Sequence, residues 1–367
     1  MSAMNNQHLP DPLPIVSGQG DYAVVFHATP AEAMAAALDG ATAVIADRTV
    51  LEAYGSQAAD ILGAVPVLPL EATEETKTLA GVGEACSWLL SLRANRTSRV
   101  VALGGGIIQD VATFAAHVYH RGIRWDFVPT TLLAMSDSCI GAKCGINHDG
   151  FKNQLGVFRS PGAVHIATGF LDTLDDDEVR SGYGEVFKLC LTHGPDAFSH
   201  LREALAGGIR NDHLVELTRL SLEAKKAVIE EDEYESDRRR ILNYGHTFGH
   251  ALEAVSGNGI SHGLAVIWGC DVINRIAVES GYLSQAAYEE IHAVAKALMP
   301  DGAAVPGFSA TELIDAARTD KKAEGSLVNL AVLFAAGDLR VIQKDFDRDL
   351  EPIIAAYLSH DDLLART

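Results

Sequence analysis

The stretch that decides the fold is Arg99-Val100-Val101-Ala102-Leu103-Gly104-Gly105-Gly106-Ile107-Ile108-Gln109-Asp110. In it, a β-prone run is followed by three glycines and then by the start of a helical pattern. Glycines between a strand and a helix let backbone amides approach a phosphate at the helix N-terminus. The dinucleotide fingerprint Gly-x-Gly-x-x-Gly is not met, because Gln109 occupies the last glycine position. A tight turn without a ligand is the alternative. The position of the turn after a strand favours binding, since ligands of open α/β sheets lie beyond the carboxyl ends of the strands.

On both sides of this turn, short apolar runs alternate with helical patterns, which predicts a parallel sheet covered on both faces. The predicted strands are residues 22–26, 42–46, 65–68, 99–103, 126–128 and 164–167. We therefore expect a Rossmann-like α/β domain over residues 21–174, after a flexible lead-in at 1–20. The polar, glycine-rich passage 137–156 is interpreted as a loop at the ligand-binding edge.

The pattern changes at about residue 175, where an acidic segment suits the start of a helix. Amphipathic helices are predicted at residues 178–191, 196–206, 214–230, 240–255, 263–280, 285–297 and 311–317. A hairpin, 327–334 with 339–343, and a final helix complete the pattern. Residues 175–367 are thus expected to form a mostly α-helical C-terminal domain.

Composition excludes several classes of protein. The 367 residues are 48% hydrophobic and 21% charged, which is typical of a folded globular chain. A net charge of −20 argues against a nucleic-acid partner. No apolar run approaches the roughly 20 residues of a membrane span, and no signal peptide is visible. Five scattered cysteines fit a cytoplasmic protein with free thiols.

Three histidines indicate a metal site. His246 and His250 are four residues apart and share one face if the segment is helical, and His262 follows a short turn. Glu185 could add a carboxylate, giving an oxygen and nitrogen site suited to Zn²⁺ or a similar ion. The alternatives are histidines satisfied by the fold and, for Glu185 with Lys188, a surface ion pair. The metalloprotease pattern His-Glu-x-x-His is not met.

In combination, the motifs of this chain resemble those of the 3-dehydroquinate synthase family of sugar phosphate cyclases, from about residue 47 to 337. The motifs that carry the resemblance are Gly104-Gly105-Gly106-x-x-x-Asp110, Tyr119-x-Arg121-Gly122, Val128-Pro129-Thr130-Thr131-Leu132-Leu133-Ala134, Asp137-Ser138-x-x-Gly141-x-Lys143-x-Gly145-x-Asn147, Lys152-Asn153, Gly184-Glu185-Val186-x-Lys188, Asn243-x-Gly245-His246-Thr247-Phe248-Gly249-His250, His262-Gly263 and Asp320-Lys321-Lys322. The order and number of these motifs make the resemblance specific.

The resemblance implies two cofactors. Glu185, His246 and His262 match the metal ligands, for Zn²⁺ or Co²⁺, whereas His250 would face the substrate. NAD⁺ would bind between the domains, and the positions that match its site are Asp47, Glu74, Lys77, Gly104, Gly105, Gly106, Asp110, Thr130, Thr131, Asp137, Lys143, Phe170 and Thr173.

The resemblance also implies a small sugar phosphate as substrate. The matching pocket residues, besides His250, are Arg121, Asp137, Lys143, Lys152, Asn153, Lys188, Lys225, Arg239, Asn243, Lys321 and Lys322. The family oxidises an alcohol with NAD⁺, eliminates phosphate, returns the hydride and closes a carbocycle. A homodimer is expected in which Arg121 reaches the site of the partner subunit.

Several residues depart from the family pattern and leave the substrate open. Gln109 and Phe151 stand where glycines are usual, Leu264 stands where glutamate is common, and Cys139, Ala142 and Cys144 alter the 137–147 segment. Retention of Arg239 and the Lys321–Lys322 pair favours the carboxylated substrate 3-deoxy-arabino-heptulosonate 7-phosphate. The alternatives are sedoheptulose 7-phosphate or glucose 6-phosphate, a polyol dehydrogenase of the iron-containing alcohol dehydrogenase superfamily, and an inactive paralogue.

Overall fold

A computed structural model describes residues 9–257, 259–300, 307–319, 323–359 and residue 364 of the chain. It divides into two compact units, residues 1–174 and 175–367.

The first unit alternates strands and helices along the chain. Its strands are β1 (Leu13–Ile15), β2 (Tyr22–Phe26), β3 (Ala43–Asp47), β4 (Val67–Leu70), β5 (Arg99–Gly104), β6 (Arg124–Pro129), β7 (Lys143–His148), β8 (Phe151–Phe158) and β9 (Ala163–Ile166). Its helices are α1 (Pro30–Leu38), α2 (Arg48–Leu62), α3 (Leu79–Ser91) and α4 (Gly106–Val118).

The main sheet has seven strands in the order β1-β2-β9-β6-β5-β3-β4. All neighbouring pairs are parallel except β1 with β2. Ala43, Val44, Ile45 and Ala46 of β3 are completely buried, as expected for a strand covered on both faces. The α/β prediction is confirmed. The lead-in prediction is wrong for Leu13–Ile15, because Leu13 and Ile15 are buried and pair with β2.

The interpretation of residues 137–156 as a loop is wrong from residue 143 onward. β7 and β8 form a two-stranded antiparallel sheet. The two strands are joined by Asp149 and Gly150, both with positive φ (49° and 82°). An Asp-Gly pair is the preferred sequence for a two-residue hairpin turn of this kind. That signal was present in the sequence.

The second unit is mostly helical. Its helices are α5 (Asp176–His193), α6 (Pro195–Leu205), α7 (Leu214–Ile229), α8 (His246–Val255), α9 (His262–Glu279), α10 (Gln285–Leu298), α11 (Ala310–Arg318) and α12 (Glu351–Leu358). A small antiparallel sheet consists of β10 (Ala323–Glu324), β11 (Leu327–Ala335) and β12 (Asp338–Asp345). The predicted hairpin is therefore present.

Helix α9 lies at the centre of this unit and packs against α5, α8, α10 and α12. At its crossing with α5 the backbones nearly touch. A Cβ added at Gly184 would overlap the Gly263 carbonyl oxygen, and one added at Gly263 would overlap Ser181. Each of these glycines is next to a predicted metal ligand, Glu185 or His262. The close approach therefore brings two ligands from different helices together.

The prediction of a single helix over residues 240–255 is wrong. Residues Arg238–Asn243 form a 3-10 turn, and α8 begins only at His246. The break falls at Gly245, whose φ of 79° is left-handed, and a Cβ there would overlap Cys270 Sγ. Close packing against α9 thus requires glycine and a backbone that cannot continue a helix. Arg239 and Asn243 consequently precede the histidine helix and are not part of it.

None of the helices in the described ranges is both long and apolar enough to cross a membrane. All five cysteines have free thiols, and Cys139, Cys144, Cys190 and Cys270 are buried.

Candidate active site

In the first unit, several residues predicted to bind the nucleotide meet at one edge of the sheet. Asp47 ends β3, and Gly104 ends β5 level with Pro129 of β6. A Cβ at Gly104 would lie 3.2 Å from Asp47 Cβ, and a Cβ at Gly105 would lie 3.0 Å from Thr131 Cγ2. Side-chain atoms of Asp47 and Thr131 therefore lie directly beside these glycines. A larger residue at either position would crowd those atoms and block the close approach of a ligand to the backbone.

The N-terminus of α4 suits a phosphate. Its N-cap residue, Gly105, makes no side-chain capping hydrogen bond, and the nearest atom to a Cβ at Gly106 would be Ser138 Oγ, 3.9 Å away. Amides at such a helix start attract anions. The donors and the small residues that a pyrophosphate needs are both present.

The Gln109 departure has a structural role that sequence reasoning missed. Gln109 is buried, its Nε2 donates to the Ser138 carbonyl at 2.7 Å, and its Oε1 accepts from Ser138 Oγ at 2.6 Å. These two bonds tie α4 to the turn Ala134–Ser138, which contains Asp137. A glycine at 109 would remove both.

Other predicted cofactor residues contact one another. Lys77 Nζ lies 2.7 Å from Asp110 Oδ2, and Asp110 Oδ1 accepts from the Gly145 amide at 3.1 Å. Burial raises the pKa of Asp110, and Lys77 opposes that shift. Glu74 Oε2 accepts from Asn147 Nδ2 at 2.6 Å. These bonds hold the segment just before α3, which contains Glu74 and Lys77, against α4 and the β7–β8 hairpin.

The remaining predicted residues of the first unit are spread over five places. Thr130 is buried after β6, and Phe170 and Thr173 lie in the turn Thr168–Thr173, where Phe170 packs on Tyr54 with ring centroids 5.2 Å apart. Lys143, Lys152 and Asn153 are exposed on the hairpin, Asp137 is half-buried, and Arg121 is exposed. The structure joins Asn153 to the Glu74 group through its amide, which donates to Asn147 Oδ1 at 3.0 Å.

In the second unit, the three predicted metal ligands converge. Glu185 Oε1 lies 3.4 Å from His246 Nε2 and 3.3 Å from His262 Nε2. The Glu185 side chain is 2% exposed, His246 is 13% exposed and His262 is 34% exposed. We name these three residues the buried cluster. A carboxylate oxygen and two imidazole nitrogens at this spacing form a donor set suited to a zinc-like ion.

The second nitrogen of each imidazole also has a partner. His246 Nδ1 lies 3.2 Å from the Tyr244 carbonyl oxygen, and His262 Nδ1 lies 3.2 Å from Glu253 Oε2. An imidazole whose Nδ1–H is held in this way keeps the Nε2 lone pair for a metal, as metal-ligating histidines do. The residues present therefore fit a divalent cation.

Burial and neighbouring charges set the protonation states of the buried cluster. Burial opposes ionisation of Glu185, but Lys188 and His246 outweigh it and hold its pKa well below the usual range. Burial, helped by Lys188, lowers the pKa of His246 to about 4. Burial also acts against charging His262, but hydrogen bonds to Glu185 and Glu253 raise its pKa to about 9. Glu185 is thus ionised and His246 neutral, the states that metal ligation requires, whereas His262 is protonated without metal and would release a proton when an ion binds.

Glu253 was missed by sequence reasoning, although a signal existed. Positions 246, 250 and 253 follow the i, i+4, i+7 spacing of one helix face. The carboxylate therefore falls on the same side of α8 as both histidines.

His250 lies beside the buried cluster but is exposed. Its ring centroid is 5.3 Å from that of His246 and 5.7 Å from that of His262. One ligand atom from each of the three histidines fits within 4.8 Å, so spacing alone also permits a three-histidine site. The assignment of His250 to substrate stays a prediction.

The basic residues predicted for the substrate pocket have different settings. Lys188 is buried and ion-paired with Glu185, so the pair is not on the surface. Lys225, on α7, and Arg239 are also buried, and the Arg239 guanidinium donates to the Glu233 carbonyl. Asn243 Nδ2 donates to Glu235 Oε1 at 2.6 Å. Lys321 and Lys322 lie outside the described residues.

Comparison with known proteins decides the family. The 3-dehydroquinate synthase N-terminal model matches residues 67–181, and the C-terminal model matches residues 182–323. The 3-dehydroquinate synthase of Paracoccus denitrificans is 38% identical over 280 residues, covering 74% of this chain and 76% of that protein. The chain belongs to the 3-dehydroquinate synthase family.

Solved structures of other enzymes show the same fold. A 2-deoxy-scyllo-inosose synthase complexed with carbaglucose-6-phosphate, NAD⁺ and Co²⁺ superimposes with a TM-score of 0.83 at 24% identity, covering 94% of this chain and 99% of that chain. The 2-epi-5-epi-valiolone synthase of Streptomyces hygroscopicus, with NAD⁺ and Zn²⁺ bound, gives 0.82 at 25% identity, covering 93% and 98%. The prediction of a 3-dehydroquinate synthase-like cyclase, an enzyme of the lyase type, is confirmed.

Proposed function

We propose that the protein is an NAD⁺- and divalent-metal-dependent cyclase that converts 3-deoxy-arabino-heptulosonate 7-phosphate into a carbocycle with loss of phosphate. The observation that carries this proposal is the buried cluster, in which Glu185, His246 and His262 converge next to the buried cation of Lys188. Membership of the 3-dehydroquinate synthase family supports the same reaction class.

Two cofactors belong to the proposal, and related solved structures contain both NAD⁺ and a divalent ion, Co²⁺ or Zn²⁺. Glu185, His246 and His262 would hold Zn²⁺ or Co²⁺, and the Gly104–Gly106 turn with Asp47 would hold NAD⁺. When bound, the cation supplies Lewis-acid polarisation of an alcohol oxygen and NAD⁺ supplies a hydride acceptor.

The side chains of the chain supply binding, charge and proton transfer. Lys188, Lys225 and Arg239 are buried cations, which suit anionic phosphate and carboxylate groups. The hydrogen bond from Arg239 to the Glu233 carbonyl holds the guanidinium in place. His250, exposed beside the cluster, can orient the leaving phosphate and move a proton at an imidazole nitrogen.

A phosphate-release assay over a panel of sugar phosphates tests the proposal. We expect 3-deoxy-arabino-heptulosonate 7-phosphate to release phosphate with no net NADH, and mass spectrometry to identify the cyclic product. Net NADH from a polyol without phosphate release would instead indicate a dehydrogenase.

Sedoheptulose 7-phosphate is the second candidate substrate. The likeness to 2-epi-5-epi-valiolone synthase and the Leu264 departure favour it. If that sugar reacts while the heptulosonate is inert, the substrate proposal is wrong and the cyclase stands. The homodimer, with Arg121 reaching the site of the partner, remains part of the proposal, and sedimentation would test it.

A further inference from the structure

We propose a second divalent-metal site in this protein, formed by His200, His213 and Glu216 on the surface of the helical unit. We name these residues the surface cluster. Its ligand would be a borderline transition ion such as Zn²⁺, Co²⁺ or Ni²⁺, because two imidazole nitrogens and one carboxylate suit these ions, whereas Ca²⁺ and Mg²⁺ prefer oxygen ligands.

The three donors come from two helices. His200 lies on α6, His213 is the N-cap residue of α7, and Glu216 is in the first turn of α7. One ligand atom from each fits within 4.8 Å. The two rings lie edge to face with centroids 5.3 Å apart. An ion here would link α6 to α7.

The distances match those between ligands of one ion. Zinc–nitrogen bonds of about 2.0–2.1 Å and zinc–oxygen bonds of about 2.0–2.2 Å place two ligand atoms of a tetrahedral site about 3.3–3.5 Å apart. Glu216 Oε2 lies 3.0 Å from His200 Nε2 and 3.6 Å from His213 Nδ1. A nitrogen of each imidazole thus lies near the same carboxylate oxygen, at distances close to those between ligands of one ion.

Hydrogen bonding does not explain how the buried Nε2 atom of His200 is satisfied. Its Nε2 is buried and makes no hydrogen bond of acceptable geometry, although Glu216 Oε2 is 3.0 Å away. A buried polar atom without a partner is costly. A shared cation would satisfy the nitrogen and the carboxylate together.

The backbone that carries His213 is fixed before any ion binds. The His213 amide donates to Asn211 Oδ1 at 2.9 Å. Asn211 Nδ2 donates to the Gly208 carbonyl at 2.7 Å and to the hydroxyl of buried Tyr183 at 3.1 Å. Because this backbone is already ordered, metal binding would lose less conformational entropy. Three protein ligands leave a fourth position for water.

Metal content after equilibrium dialysis against micromolar Zn²⁺ tests the proposal. We expect two zinc ions per wild-type chain and one per chain in Glu216→Ala and in the double variant His200→Ala/His213→Ala. The control is His193→Ala, which removes an exposed histidine of α5 outside both clusters and should keep two ions.

A second measurement uses Co²⁺. Wild type should show two binding phases in its visible absorption, and Glu216→Ala should lose one phase while its circular dichroism is unchanged. The same number of bound ions in wild type and in Glu216→Ala would overturn the proposal, whereas loss of the ion of the buried cluster alone would leave a difference of one ion between them. Neither measurement depends on turnover, so both are independent of the reaction that the protein catalyses.

Discussion

Two clusters in the helical unit have the same composition, two histidines and one glutamate, but differ in the burial of the glutamate. Glu185 is 2% exposed, whereas Glu216 is 60% exposed. The carboxylate-to-imidazole distances are alike, 3.3 and 3.4 Å in the buried cluster and 3.0 and 3.6 Å in the surface cluster. Donor spacing therefore does not distinguish them.

The difference lies in what surrounds the donors. In the buried cluster, Lys188, the Tyr244 carbonyl and Glu253 each contact a ligand, so charge and orientation are set by groups shielded from water. In the surface cluster, one solvated carboxylate faces both imidazoles. Interactions between exposed charges are screened, and buried ones are not. We expect tight binding and catalysis at the first cluster and weaker binding without catalysis at the second.

The largest effect is expected for His262→Ala. It should lose the ion of the buried cluster and slow phosphate release about a thousandfold, the factor that corresponds to about 4 kcal/mol of transition-state stabilisation. Metal analysis with the phosphate assay checks this. His250→Ala is the control and should lose rate while keeping metal. Loss of metal in both variants would make His250 a ligand.

Lys188→Met should lower the free energy of unfolding of the metal-free protein by about 3 kcal/mol, because it leaves the buried Glu185 carboxylate without its cation. Urea denaturation in the presence of a chelator measures this. Lys226→Met breaks the ion pair with Glu230 on α7, at 2.6 Å and partly solvated, and should cost under about 0.5 kcal/mol. Equal losses in the two variants would contradict the role of burial.

Glu253→Gln should weaken binding at the buried cluster about 10- to 100-fold, the usual effect of removing the partner of a metal-ligating histidine. Competition with a chromophoric chelator gives the affinity. Glu223→Gln, which changes a half-exposed glutamate paired with Arg219, is the matched control and should leave the affinity unchanged. An unchanged affinity in Glu253→Gln would show that His262 is oriented without it.

Glu216→Ala should have the smallest effect on turnover, with phosphate release within about twofold of wild type, as expected for a surface change away from the reacting groups. In the His262→Ala background it should remove the last bound zinc. A large loss of turnover in Glu216→Ala alone would tie the surface cluster to catalysis.

The sequence predicted what depends on local periodicity and missed what depends on packing. Alternating strands and helices indicated the parallel sheet, and the i, i+4 spacing placed His246 and His250 on one helix face. The start of that helix was wrong because the constraint on Gly245 comes from Cys270, 25 residues away in sequence.

The surface cluster was missed for a related reason. His200 and His213 are separated by the end of α6 and a loop, and only the folded connection brings them together. The hairpin β7–β8 was not predicted although Asp149-Gly150 is a preferred hairpin turn, because the polar and charged residues of the passage are equally typical of a solvated loop.

The contact between Gly184 and Gly263 has an evolutionary consequence. Because backbone atoms meet there, the separation between Glu185 and His262 does not depend on how larger side chains pack at that crossing. Under the proposed function, substitutions at exposed positions such as His250 would alter contacts with the substrate and leave that separation unchanged. A crossing of this kind would let substrates diversify while the proposed metal ligands keep their spacing.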